Sequence, residues 1–339
     1  MTPHAVEKVR LPWHLTQWQR LQLARRTERM PHALLLTGPP GAGKRLFAES
    51  LAASLLCSEP DPQGDPCGRC RGCQLFQAGT HADYQRIEPA EPGKAITVDA
   101  IRNFNSRGTL TAQAGGYKVI VFEPADAMNM AAANSLLKTL EEPVPWTLML
   151  LVTAQPGRLP ATIRSRCQQV RISLPSREEG QRWLSERTEG VDTGLVLALA
   201  CGAPLQALQL AQPETLQLRL GVLDDFSAVL QGIKDPVTLA AKWNTLDLRQ
   251  LCGWYTGWVI DILRLKASPE IPELFNPDQR NRLQAIGKKL EFPTLNQLLD
   301  GAYQANRLLG AQVNTQMLVE ELLLNTAAAG NPGPQRNHR

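Results

Sequence analysis

An α/β domain followed by all-α structure is the fold class this sequence predicts, and three observations predict it. Short apolar runs alternate with amphipathic stretches as far as about residue 173, the pattern of a parallel sheet with crossover helices. A glycine-rich loop, Gly38 to Arg45, joins the first run to the first helix. Beyond Leu174 the strand patterns stop and only helical ones continue.

Taken in order, strands are predicted at 33–36, 84–87, 118–122, 147–152 and 169–172, with helices at 44–56, 98–107 and 128–140. The run 118–122 is rich in β-branched residues and follows the turn Gly115-Gly116. Short helical patterns at 177–187 and 203–210 fall within a small helical segment, 174–212. Pro213 suits a first helical turn and opens a third region. Helices are predicted there at 214–231, 236–244, 248–266, 277–290, 294–309 and 314–324. Trp254 and Trp258 lie four apart on one helix face, which reads as core or interface packing. From about Thr326 the chain turns small, polar and turn-rich, so a disordered tail is expected. The expected division is 1–173, 174–212, 213–328 and a tail, 329–339.

The loop reads GPPGAGKR and fits the phosphate-binding pattern Gly-x-x-x-x-Gly-Lys-[Ser/Thr] at every position but the last. In such a loop the glycine N–H groups cradle phosphates, the lysine reaches the outer ones and the final hydroxyl ligates Mg²⁺. Gly38, Gly41, Gly43 and Lys44 are present, but Arg45 stands where the hydroxyl should be. A guanidinium has no lone pair for a cation and adds a second positive charge. At the end of the 118–122 strand, where a P-loop ATPase needs Asp-Glu for metal and water, the chain has Glu123-Pro124. Glu123 retains a metal-binding carboxylate, whereas Pro124 has no base to offer. Asp126 lies past the strand end and is expected to cap the next helix. ATP/Mg²⁺ binding is therefore in doubt, and catalysis in cis is expected to be lost. Lys44, the glycines and the helix N-terminus keep the capacity to attract an anion.

With 339 residues, 43% of them apolar and seven tryptophans among them, the chain is long enough for two or three domains with sizeable cores. No stretch approaches the ~20 apolar residues of a membrane span, and no apolar leader opens the chain, so a cytoplasmic location and no membrane contact are expected. A net charge of +4 permits nucleic-acid contact without arguing for it. Arg20, Arg25, Arg26 and Arg29 form a basic helix face, expected to be solvated.

Cys57, Cys67, Cys70 and Cys73 are spaced C-x9-C-x2-C-x2-C among prolines and glycines. Four thiolates so spaced can close a tetrahedron around structural Zn²⁺; disulfides are the competing reading, which a cytosolic setting disfavours. Cys201 and Cys252 are expected to be small buried residues.

Several segments carry a family resemblance. The run Asn134-Ser-Leu-Leu-Lys-Thr-Leu-Glu-Glu-Pro143, then Leu151-Val-Thr153 and Thr162-Ile-Arg-Ser-Arg-Cys167, closely resembles the bacterial DNA polymerase III clamp-loader subunits, which are AAA+ proteins. The cysteine insert after the P-loop helix, and the run from Cys70 to Asp83, look like the zinc module of that group. The resemblance implies an AAA+ P-loop sheet domain with a zinc module, a helical lid and a helical collar. It also implies sensor 1 at Thr153, and at Arg166 an arginine finger that acts in trans on ATP held by a neighbouring subunit. Where ATPase members carry a sensor arginine, this chain has Leu205. Losing metal, base and sensor groups together resembles the delta-prime branch, the stator, rather than the hydrolysing gamma/tau branch. A gamma/tau-like ATPase is the alternative. The partners so implied are gamma/tau and delta subunits, with the sliding clamp and primed DNA reached through the assembly.

Overall fold

A computed structural model describes residues 10–91, 93–106, 112, 116–309 and 313–331. The expected helix end at Arg107, the Gly115 half of the turn and tail residues 332–339 lie outside the described residues. The chain divides into two compact units, Met1–Pro175 and Ser176–Arg339.

The first unit is built on five parallel strands in the order β2-β3-β4-β1-β5: β1 Ala33–Thr37, β2 Tyr84–Ile87, β3 Lys118–Phe122, β4 Thr147–Thr153 and β5 Gln168–Arg171. Every residue of β1 and β4 is buried, as expected of central strands covered on both faces. Alternating strand residues feed two cores. Leu34, Leu36, Val119, Val121, Leu148 and Leu150 pack with Trp18 of α1 (Leu15–Arg26) and with Phe47 and Leu51 of α2 (Lys44–Leu56). Phe76 of α3 (Arg71–Gln77) joins the same side. Leu35, Ile120, Met149 and Leu151 pack with Ile101 of α4 (Val98–Ser106), Leu136 of α5 (Met130–Glu141) and Ile163 of α6 (Ala161–Arg164).

Register aligns the strand ends. Thr37 pairs with Thr153 and Phe122 with Leu151, so Gly38, Glu123 and Thr153 emerge along the same carboxyl edge of the sheet. Open parallel sheets bind ligands at that edge.

The second unit is helical: α7 Arg177–Ser185, α8 Thr193–Leu199, α9 Pro204–Leu210, α10 Pro213–Leu230, α11 Pro236–Trp243, α12 Leu248–Ala267, α13 Arg280–Gly287, α14 Phe292–Leu308 and α15 Thr315–Gly330. Its core centres on Phe226, Trp243, Tyr255 and Trp258, and Trp254 is buried beside them, so the i, i+4 tryptophans are packing residues. The helix expected over 277–290 begins as a 3₁₀ turn, Pro277–Gln279, because Asn276 and Asp278 are engaged by Asp261 and Arg219.

Two expectations are corrected here. The tail expected from about Thr326 is helical as far as Gly330: Thr326 is fully buried, and its Oγ1 lies 2.8 Å from the Tyr255 hydroxyl. The run of small residues reads as polar and flexible, yet small is what this contact requires; a Cβ on Gly330 would stand 1.8 Å from Leu230 O. Cys201, expected buried, is exposed in the turn after α8, at φ 53°.

Candidate functional site

The phosphate-binding loop sits between β1 and α2, as its sequence requires. Gly41 and Gly43 have φ of 73° and 86°, in the left-handed region that glycine tolerates. Gly43 also has no room for a side chain: a Cβ would meet Leu11 Cδ1 at 2.4 Å and His14 Cε1 at 2.9 Å. Those two residues belong to a segment clamped onto the loop. Trp13 Nε1 donates to Ala42 O at 3.0 Å, and His14 Nε2 approaches the same carbonyl at 2.8 Å. A carbonyl only accepts, so Nε2 carries the imidazole proton. Burial lowers the His14 pKa, only partly offset by the bond to Ala42.

Lys44 is buried and turned back on its own loop, donating from Nζ to Gly38 O at 2.9 Å and Pro39 O at 2.8 Å. Burial pulls its pKa down, against the opposing charges of Glu123 and Asp126. Arg45 projects from the first turn of α2. Its Nε lies 2.8 Å from Glu49 Oε1 and 3.7 Å from Glu123 Oε2. Arg86 of β2 adds a contact of 3.6 Å to Glu49 and one of 2.8 Å to Glu88. Burial raises the Glu123 pKa, and Arg45 is the first group to oppose it. The carboxylate expected to be available for a metal is thus paired with a guanidinium that stands in the position of the metal-binding hydroxyl.

Thr153 is buried and donates to Asp126 Oδ1 at 2.5 Å, while Gln155 N donates to its hydroxyl at 2.9 Å. Asp126, expected to cap the following helix, lies in a 3₁₀ turn, Ala125–Ala127. The cap of α5 is Asn129, whose Oδ1 accepts from Ala132 N at 2.8 Å. Leu205 is half-buried in α9.

Arg166 stands in the turn between α6 and β5. It pairs with Glu141, the last residue of α5, Nη2 to Oε1 at 2.6 Å, and donates from Nη1 to Thr162 O at 3.1 Å. Arg164 is exposed.

The four cysteines converge. Their Sγ atoms all lie within 4.8 Å of one another, and none is in a disulfide. A tetrahedral thiolate site with metal–sulfur bonds of ~2.3 Å needs sulfurs about 3.8 Å apart, and Cys57 and Cys70 are at 3.8 Å. The N–H groups of Cys67, Cys70 and Cys73 point at the sulfurs of Cys57, Cys67 and Cys70, at 3.3–3.4 Å. Such donors favour thiolate: although burial opposes it, the contacts from Cys73 and Ser58 bring the Cys70 thiol down to about 6, whereas burial keeps the Cys57 and Cys73 thiols above their ordinary value. The cluster can hold a metal ion. It is braced by α1: Trp18 Nε1 donates to Gln63 O at 2.9 Å, Arg25 to Ser54 O at 3.1 Å, and Arg26 to Pro62 O. The basic face expected to be solvated is therefore partly spent on the segment leading into and through the module, while Arg20 and Arg29 remain exposed.

Sequence reasoning did not find Trp13, His14, Arg86 or Glu141. Only the partner of Arg45 had a local signal, since Glu49 lies four residues on in the same helix.

Fold and site together define a P-loop protein with an altered phosphate-binding loop and a four-cysteine module. Comparisons with known proteins narrow that class. The family model described as "DNA polymerase III, delta subunit" matches residues 13–176, and the one described as "DNA polymerase III, delta subunit, C terminal" matches 213–327. The chain is 39% identical to DNA polymerase III subunit delta' of Pseudomonas aeruginosa, covering 95% of this chain and 98% of that one. It is 32% identical to the Escherichia coli subunit of that name, covering 95% and 96%. Among solved structures, a gamma subunit-related protein of Thermotoga maritima aligns over 92% of this chain and 99% of its own, at 16% identity and TM-score 0.48. The chain belongs to the delta-prime family of DNA polymerase III subunits, components of the clamp loader.

Proposed function

We propose that this chain is the stator of the DNA polymerase III clamp loader: it hydrolyses no ATP of its own and supplies Arg166 in trans to a neighbouring ATPase subunit. The contact between Arg45 and Glu123 carries this reading. A guanidinium held by Glu49 and paired at 3.7 Å with the carboxylate that would hold Mg²⁺ puts a positive charge where the metal and its hydroxyl ligand should be. Asp126, the acid that the alternative gamma/tau-like ATPase reading needs as a base, is engaged by Thr153, which weighs against that use.

In trans, Arg166 would face charge that spreads over the transferring phosphoryl group of ATP in the adjacent subunit. Arginine fingers contribute ~10³–10⁵ in rate to such reactions. The neighbours implied are gamma/tau and delta subunits, with the sliding clamp and primed DNA engaged through the complex. The cysteine cluster would hold structural Zn²⁺ through Cys57, Cys67, Cys70 and Cys73, fixing the module without taking part in phosphoryl transfer. Among the described residues no single helix is long and apolar enough to cross a membrane, which supports a cytoplasmic place of action.

The test is ATPase activity of the reconstituted clamp loader, with the chain alone as control. The expected result is an inactive isolated chain and a clamp- and DNA-stimulated rate that falls when Arg166→Ala is incorporated. Turnover by the isolated chain, with no effect of Arg166→Ala in the complex, would overturn the proposal.

A further inference from the structure

Arg166 is not free on the surface. Its backbone is fixed between Ile163, fully buried, and Cys167, nearly so, while Glu141 follows buried Leu140 at the end of α5. All three buried side chains belong to one core on the same side of the sheet. The two side chains that meet above this core are thus anchored from beneath on separate elements. The guanidinium contacts Glu141 through Nη2 at 2.6 Å, and Thr162 O and Ser165 Oγ through Nη1 at 3.1 and 3.5 Å. The two Nη1 contacts are hydrogen bonds and the Nη2 contact is an ion pair; none of them uses Nε–H, which stays available to a phosphate oxygen.

From this geometry we infer that Glu141 is a positioning residue for Arg166, holding the guanidinium in the orientation from which it meets the neighbouring subunit's phosphate. The inference rests on the finger reading of Arg166 given above. An arginine without this carboxylate would sample many rotamers, and aligning it would then draw on the phosphate contact itself. Both side chains are partly exposed, 36% for Arg166 and 50% for Glu141, so water screens the pair. The carboxylate can therefore orient the arginine without holding it back from a phosphate bearing more charge. Glu141 touches neither ATP nor the reacting atoms, so its effect should pass entirely through Arg166.

The experiment measures steady-state ATPase of the reconstituted clamp loader carrying wild type, Glu141→Ala, Glu141→Gln, Arg166→Ala or the Glu141→Ala/Arg166→Ala pair. Circular dichroism melting of each isolated chain checks folding. The expected result is a kcat lowered about 5- to 30-fold by Glu141→Ala, with KM for ATP within twofold of wild type. Glu141→Gln, which keeps an acceptor oxygen, should recover part of the loss, and the double variant should fall no further than Arg166→Ala alone. If Arg166→Ala lowers kcat but Glu141→Ala matches wild type, the positioning role is wrong and the finger stands. If the two losses multiply in the double variant, Glu141 acts elsewhere and the inference also falls. If Arg166→Ala changes nothing, the finger reading fails, and this inference with it.

Discussion

At residue scale, the substitutions at the strand ends are not simple losses. Arg45 is held by Glu49 and Glu123, so replacing it with threonine frees Glu123 and supplies a hydroxyl but no base to activate water. Arg45→Thr in the isolated chain is expected to leave ATPase activity at background in a coupled phosphate-release assay, since Pro124 and Leu205 remain. His14 is the second residue whose setting makes a prediction. Burial lowers its pKa, so the unfolded chain binds the proton more readily, and stability should fall as pH drops below the ordinary value of about 6.5. Protonation would also place an N–H on Nδ1, which is buried and has no hydrogen-bond partner. Urea unfolding between pH 7.5 and 5.5 should show a steeper loss for wild type than for His14→Gln. Equal slopes would remove His14 from the acid response.

At element scale, the cysteine module and the last helix make the sharpest tests. Metal analysis of the purified chain should find one zinc per molecule. Cys70→Ser should lose it and raise the rate of tryptic cleavage at Arg69 and Arg71. Removing everything after Asn325 should destabilise the chain by ~2–4 kcal/mol in urea titrations, because buried Thr326 and Ala329 leave the core of the second unit. These elements also show how far the sequence could be read. β1, β3, β4 and α2 were legible because buried parallel strands are largely unbroken apolar runs, and the cysteine spacing announced its own convergence. The end of α15 was not legible, since alanine and glycine look the same in a loose tail and in a tight contact; Leu230 O, a hundred residues away, decides between them. The cap of α5 was misplaced because Asp126 and Asn129 are both good capping residues by type. Only the Thr153 hydroxyl, brought in by β4, assigns Asp126 to another bond. Glu141 escaped notice for a similar reason: its tie to Arg166 spans two elements and has no local spacing.

At the scale of the whole molecule, the internal pairing of Lys44 and Arg45 predicts how the isolated chain responds to nucleotide. A ligand that binds only the folded state raises stability by RT ln(1 + L/Kd) at free ligand concentration L, so one that scarcely binds scarcely stabilises. Millimolar ATP with Mg²⁺ is therefore expected to move its Tm by less than about 1 °C, and EDTA added with ATP should make no difference to that small shift. A rise of several degrees would mean that the loop opens and takes nucleotide. The contact of Arg45 with Glu123 has one more consequence. A magnesium ion arrives with each nucleotide and departs with each product, so a site built around it must alternate between occupied and spent. A cation carried on the polypeptide cannot leave. On the stator reading this end of the sheet would have no cycle of its own, and in a ring whose other members reset at every turnover it would keep time with none of them: a fixed reference against which their motions are made.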